Sequence, residues 1–278
     1  LAGAQRAGPS TLGFREIPHQ LSERDAVAEG YEIQVLLRWG DPIVNGAPEF
    51  DPHNVTLEDQ RRQFGYNNDY LDFFPLPQGS TSSDRGLLVV NHEYTNTGLM
   101  FAGLGAGRAA RDKATREQAA IEIAAHGASV VEIRRENGRW RYVKESRFNR
   151  RIDGETVMRI SGPAAGHERM KTSYDSTGTM VRGMLNNCAG GSTPWGTVIT
   201  AEENFNGYFG GDPEQTPHAG SFKRYGITKE SWYGWVNHFD RFNVEKEPNE
   251  PFRFGWIVEF DPYDPGSVPV KRTALGRF

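Results

Sequence analysis

The sequence predicts an all-β chain of the β-propeller class, and three observations carry that expectation. Short runs rich in β-branched and aromatic residues recur along its 278 residues, each bounded by Gly, Pro, Asn or Asp. The stretches between them are long and irregular, with 32 glycines to turn the chain, which leans toward a propeller rather than a sandwich. Only one segment breaks the β pattern with the composition of a helix.

Taken in order, residues 1–30 read as an N-terminal segment. It opens on a small, Gly/Ala-rich stretch (1–10) with the character of a frayed terminus or of what processing leaves behind, without a charged-then-apolar export signal. Strands are expected at 31–38, 70–75, 86–91, 129–135, 140–144, 156–161, 197–202, 221–225, 232–236 and 255–261. Asn137-Gly138 supplies the two positive-φ residues of a type I′ hairpin turn. The expected helix covers 115–125: Thr115 and Gln118 have the spacing of a capping box, Gly127 is placed to end it in a left-handed cap, and Ile121 with the alanines would pack it on a sheet as scaffold. A ring of about six four-stranded blades needs on the order of 24 strands, so about ten strands suggest part of a ring. Residues 31–278 are therefore expected to be the N-terminal portion of one propeller, with sheet edges that need a partner.

Composition narrows the function. With 32 basic and 36 acidic side chains the net charge is only -4, which argues against a nucleic-acid binder. Apolar runs such as 86–90 and 98–104 are far below the roughly 20 residues of a membrane span. Cys188 is the only cysteine, so no internal disulfide forms and the thiol needs its own explanation.

The densest chemical signal is Asn186-Asn187-Cys188-Ala189-Gly190-Gly191, followed by a strand and Glu202-Glu203-Asn204. This reads as a thiol on a Gly-rich loop, with Gly190-Gly191 allowing close approach of an ion to the main chain. Successive strand residues face opposite ways, so one of Glu202 and Glu203 is a candidate ligand and the other is expected at the rim. Gly65-Tyr66-Asn67-Asn68-Asp69-Tyr70 and Asn91-His92-Glu93-Tyr94-Thr95-Asn96 place further oxygen donors at strand ends. Oxygen donors suit hard cations and a thiolate suits a transition metal, so the inventory fits a mixed site, and the cysteine spacing of structural zinc is absent. Each group has a plainer reading: a buried small side chain for Cys188, Asx turns for the Asn/Asp clusters, and simple hydrogen bonding for His92 and His167. Among the arginines, Arg169 and Arg182 lie nearest these motifs and would suit a phosphate. No Gly-x-Ser-x-Gly elbow or Walker loop is present.

These blocks, with Thr193-Pro194-Trp195-Gly196-Thr197 and the closing Thr273-Ala274-Leu275-Gly276-Arg277-Phe278, make the sequence resemble the PhoX-type alkaline phosphatases across nearly its whole length. The resemblance implies an exported, periplasmic or secreted enzyme on a six-bladed propeller, releasing phosphate from monoesters with iron (Fe3+) and calcium. It implies Cys188 as an iron ligand, Glu203 as a second metal ligand, Glu93 as a calcium-side carboxylate and Asn68 as a further donor, with Cys188 and Glu203 central to catalysis. Family members are longer, so the other half of the propeller would be the chief partner, beside small phosphate esters. The alternatives are a calcium-dependent propeller esterase or lactonase, which needs no thiol, and a non-catalytic binding module whose face would be Trp195, Trp232, Trp235 and Trp256.

Overall fold

The computed structural model describes residues 13–277. The short stretch 1–10 and the terminal Phe278 lie outside the described residues. Contacts divide the chain into one unit ending at Leu36 and another starting at Leu37. Residues 13–36 contain no strand or helix, and their local order rests on the Tyr31 N–H donating to Ala28 O and an edge-on contact between Phe14 and Tyr31. The strand expected at 31–38 does not form: its apolar residues Tyr31, Ile33 and Val35 are exposed, with no sheet ladder to join.

From Leu37 onward the fold is mostly β with several short helices. One sheet orders β1 (Asn68–Pro75), β2 (Arg85–His92), β3 (Gly127–Glu136) and β4 (Arg139–Tyr142), with β5 (Arg150–Ile152) pairing β3. The second sheet contains β6 (Val157–Ser161), β7 (Met180–Arg182), β8 (Asn187–Ser192), β9 (Val198–Glu202), β10 (Ile257–Phe260) and β11 (Val270–Arg272), in the order β7-β6-β11-β10-β9-β8. Every pairing is antiparallel except β6 with β11. Two open sheets, rather than a closed propeller, are what the described residues form.

Asn137 and Gly138 take φ of 51° and 79° and close the β3–β4 hairpin as their chemistry requires. The helix expectation also holds in place: α4 (Arg116–Ala125) begins with a complete Thr115/Gln118 capping box. Gly127 departs from its expected role. The helix ends at His126 in extended backbone, and Gly127, with φ of 100°, opens β3 where a Cβ would lie 2.0 Å from Ile152 O.

α4 is not the only helix among the described residues. It is joined by α1 (Leu57–Gln60), α2 (Thr97–Met100), α3 (Gly107–Lys113) and α5 (Ala219–Tyr225), with short 3-10 turns between strands. The strand expected at 221–225 is α5, whose end is set by Gly226 at φ 74° accepting the left-handed cap. The strand expected at 232–236 is a 3-10 turn, Gly234–Asn237. Gly234 lies against Arg111 O, too close for any side chain, and the turn delivers Trp235 into the core stacked on Tyr233 at 4.1 Å. Trp235 shares that core with Tyr208, Phe209, Phe242 and Phe254.

The two sheets meet where β8 crosses β1 and β2. The Tyr70 ring lies where a Cβ on Gly190 would be, at 2.3 Å, so this glycine serves packing between sheets rather than an ion. The buried Asn91 amide spans the same seam, donating to Cys188 O and Thr200 Oγ1, both at 2.8 Å.

Candidate metal centre

Two strand pairs of the same construction build the site. In the first, Asn67 is left-handed at φ 48°, Asn68 pairs with His92, and the register breaks before Leu71. In the second, Asn186 is left-handed at φ 49°, Asn187 pairs with Glu202, and the register breaks before Gly190. Each break is a β-bulge, which bends the strand and re-aims side chains, and within each lies the third residue of the triplet: Asp69 in Asn-Asn-Asp, Cys188 in Asn-Asn-Cys. The partner strands match as well. Glu93 follows the end of β2 and donates its N–H to Asn67 O at 3.0 Å, while Glu203 follows the end of β9 and donates to Asn186 O at 3.1 Å.

The result is a cluster drawn from distant parts of the chain. One donor atom from each of Asp69, Glu93 and Cys188 lies within 4.8 Å of the others, and the Cys188 thiol donates to Asp69 Oδ2 at 3.2 Å. Glu203 is close enough to hydrogen-bond the same thiol and to act on Glu93 by charge. Partial burial, the hydrogen bonds to Asp69 and Glu203, and the nearby carboxylates push the Cys188 thiol up to about 12. Glu93 is raised by burial first and then by Asp69 and Glu203. No lysine or arginine pairs with Asp69, Glu93 or Glu203 among the described residues. A thiol in such surroundings is a poor nucleophile, because the reactive thiolate is favoured by positive neighbours. Converging oxygen and sulfur donors without a counter-ion fit a bound cation, the thiolate favouring a transition metal and the carboxylates a harder ion.

Hydrogen bonds from neighbouring side chains tie these segments together. The Tyr208 hydroxyl lies 2.6 Å from Leu185 O and 2.7 Å from Glu203 O, between the two chain segments that carry Cys188 and Glu203. Tyr233 and Asn186 exchange side-chain hydrogen bonds at 3.2 Å. Asn67 Nδ2 donates to Glu93 Oε2 at 3.4 Å.

The remaining sequence candidates fall elsewhere. Cys188 itself is in strand β8, not in a loop, because Gly190 and Gly191 continue the ladder to Ile199. Glu202 is not at the rim. It is fully buried, bound by Lys271 Nζ at 2.7 Å and by the Trp256 N–H at 3.1 Å, and its alternation with Glu203 sends it into the core. His92 is fully buried between Ser129 Oγ and the Gly65 N–H, and burial pushes it well below the usual histidine range, so it is a neutral core residue. His167 caps a 3-10 turn by accepting from the Arg169 N–H. Arg169 covers the Phe252 ring and Arg182 the Tyr174 ring. Trp235 is core and bonds Glu122, Trp256 is half-buried, and Trp195 and Trp232 are exposed. Asn68 is exposed at the start of β1, and its neighbour Asp69 is the residue that joins the cluster. The repeated Asn-Asn-X triplet was the signal that marks Asp69.

A family model described as alkaline phosphatase PhoX matches residues 12–278. Among solved structures, that of Pseudomonas fluorescens PhoX in complex with vanadate, a transition state analogue, is similar at 44% identity and a TM-score of 0.88. The similarity covers 96% of this chain and 45% of that one, so the chain spans a little under half the length of that relative. No curated protein matches. With a family model spanning nearly the whole chain and a solved relative sharing its fold, this chain belongs to the PhoX alkaline phosphatase family.

Proposed function

We propose that this chain supplies part of the metal centre of an exported phosphomonoester hydrolase, within a six-bladed propeller that the longer relatives would complete. The observation that carries the reading is the convergence of Asp69, Glu93 and Cys188, with no lysine or arginine paired to the two carboxylates among the described residues. Asp69, Glu93 and Cys188 would hold the ions, with Glu203 beside the thiol. Iron and calcium bound there would supply Lewis-acid charge to phosphoryl oxygens and to the negative charge that grows during displacement.

The chain's own residues set the conditions for that chemistry. Cys188 has to give up its proton to ligate, and Asp69 Oδ2 already accepts its hydrogen bond at 3.2 Å. The bulges in β1 and β8 fix the donors on strands rather than on free loops, so little reorganisation accompanies binding. No side-chain nucleophile is required. Phosphate monoesters, rather than nucleic acid, are the substrates this reading favours, and the exported compartment follows from the family alone.

The test is hydrolysis of p-nitrophenyl phosphate at alkaline pH by the full-length protein. Turnover is expected to vanish with chelator and return with iron and calcium, and Cys188→Ser is expected to lose iron and at least about tenfold in rate. Wild-type turnover and iron content in Cys188→Ser would overturn the assignment. Calcium without iron would instead indicate the esterase or lactonase reading, and absence of turnover the binding module.

A further inference from the structure

A cleft of about 220 Å3 opens between α1, α4, the turn at Glu155 and the segment 239–241, and it shares no residue with the Asp69, Glu93 and Cys188 group. Four arginines line it, each from a different element: Arg61 after α1, Arg116 on α4, Arg182 on β7 and Arg241 in the 3-10 turn Asp240–Phe242. Their commitments differ. Arg241 is buried and fully engaged, with Glu250, Glu155, Gly154 O and Arg182 O as acceptors. It anchors the floor rather than offering donors.

The other three are available. Arg61 reaches only Asp153, at 3.9 Å, and Arg182 only Glu155, at 3.8 Å, both beyond hydrogen-bond length. Their side chains are 42% and 50% exposed. Arg116 donates to His238 O and otherwise lies over the Phe239 ring. Arg182 lies over the Tyr174 ring in the same way. The aromatic walls therefore support guanidinium planes with unspent N–H donors, and the acids paired with the four arginines are three, Asp153, Glu155 and Glu250, the last also shared with Arg253, so positive charge remains in excess.

We propose that this cleft binds a small tetrahedral oxyanion, of which inorganic phosphate is the representative, at a site separate from the metal centre. Guanidinium forks match oxyanions through paired N–H donors. Donors arriving from three elements surround a volume, which suits oxygens pointing in several directions better than the single edge of a carboxylate. The size points the same way, because drug-sized organic ligands occupy pockets of about 300 Å3 or more. The proposal does not depend on the phosphatase reading.

Titration of inorganic phosphate into the full-length, metal-loaded protein tests it by calorimetry, with acetate at matched ionic strength for comparison. A binding event is expected that weakens at least tenfold in Arg61→Ala/Arg182→Ala, survives in Cys188→Ser, and has no counterpart with acetate. Arg182→Lys, which keeps the charge and loses the fork, is expected to fall between wild type and the double variant, and it keeps the test open should the double variant fold poorly. Turnover of p-nitrophenyl phosphate is expected to be unchanged in Arg61→Ala/Arg182→Ala. A phosphate isotherm identical in wild type and both arginine variants would overturn the proposal, as would acetate binding of equal strength. Neither result would bear on the metal centre, whose own test is loss of iron and hydrolysis in Cys188→Ser.

Discussion

Cys188 carries its proton to unusually high pH because partial burial and three carboxylates all oppose the thiolate. The consequence for reactivity has a definite sign. In metal-free protein, alkylation of Cys188 by iodoacetamide is expected to stay slow at pH 9 and to rise only as the pH nears 12. Asp69→Asn removes an acceptor and a negative charge, so it is expected to lower that midpoint, and an unchanged alkylation profile would remove Asp69 from the account. The stability consequence runs in the same direction. A thiol raised from 9.0 to about 12 favours the folded state below pH 9, and that contribution is lost as the pH climbs through about 12. Denaturant titrations of the metal-free protein from pH 9 to 11 are therefore expected to show a steeper decline in wild type than in Cys188→Ala. Equal slopes would contradict the environment described for the thiol.

The strand pairs explain which parts of the site were legible in the sequence. Cys188 stands out as the lone thiol, the residues leave Glu202 and Glu203 open, and the family resemblance singles out Glu203 and Glu93; the structure places Glu93 and Cys188 in the cluster with Glu203 beside the thiol. Asp69 was harder to see, since Asn67, Asn68 and Asp69 together look like a turn. What brings Asp69, itself exposed, to the cluster is a bulge after a left-handed asparagine, and a bulge leaves no mark in strand periodicity. Glu202 misled because alternation gives opposite faces without saying which face is core; Lys271, far along the chain, decides it. Strands β5, β7 and β11 are only three residues each and depend on partners rather than pattern. Helix α4 was legible because its capping box is local.

Lys271→Met leaves Glu202 buried without its cation, only backbone N–H donors remaining, and is expected to cost about 3–5 kcal/mol, with Glu202→Gln/Lys271→Met recovering much of it. Asn204, left-handed at φ 50° and without a side-chain capping bond, is expected to tolerate Gly. Asn204→Ala is expected to cost about 1–2 kcal/mol. Urea denaturation reads both, and equal stability of the Gly and Ala variants would argue against a strained backbone there.

At the scale of the molecule, two open sheets meet at β8, and that meeting brings donors from residues 69, 93 and 188 together with Glu203 beside the thiol. Neither strand pair holds a complete ligand set alone, so the centre depends on their relative packing, through Tyr70 on Gly190 and the Asn91 amide across the seam. The solved relative is more than twice as long, and the expectation of further ligands from the rest of such a protein is compatible with a cluster that is anionic and still open. An anomalous difference map at the iron absorption edge, from crystals of the full-length protein, tests this most directly. The account predicts a peak in bonding contact with Cys188 Sγ, with a carboxylate of Asp69, Glu93 or Glu203 completing the same ion or its neighbour. Iron located elsewhere, with the Cys188 thiol still hydrogen-bonded to Asp69, would contradict it.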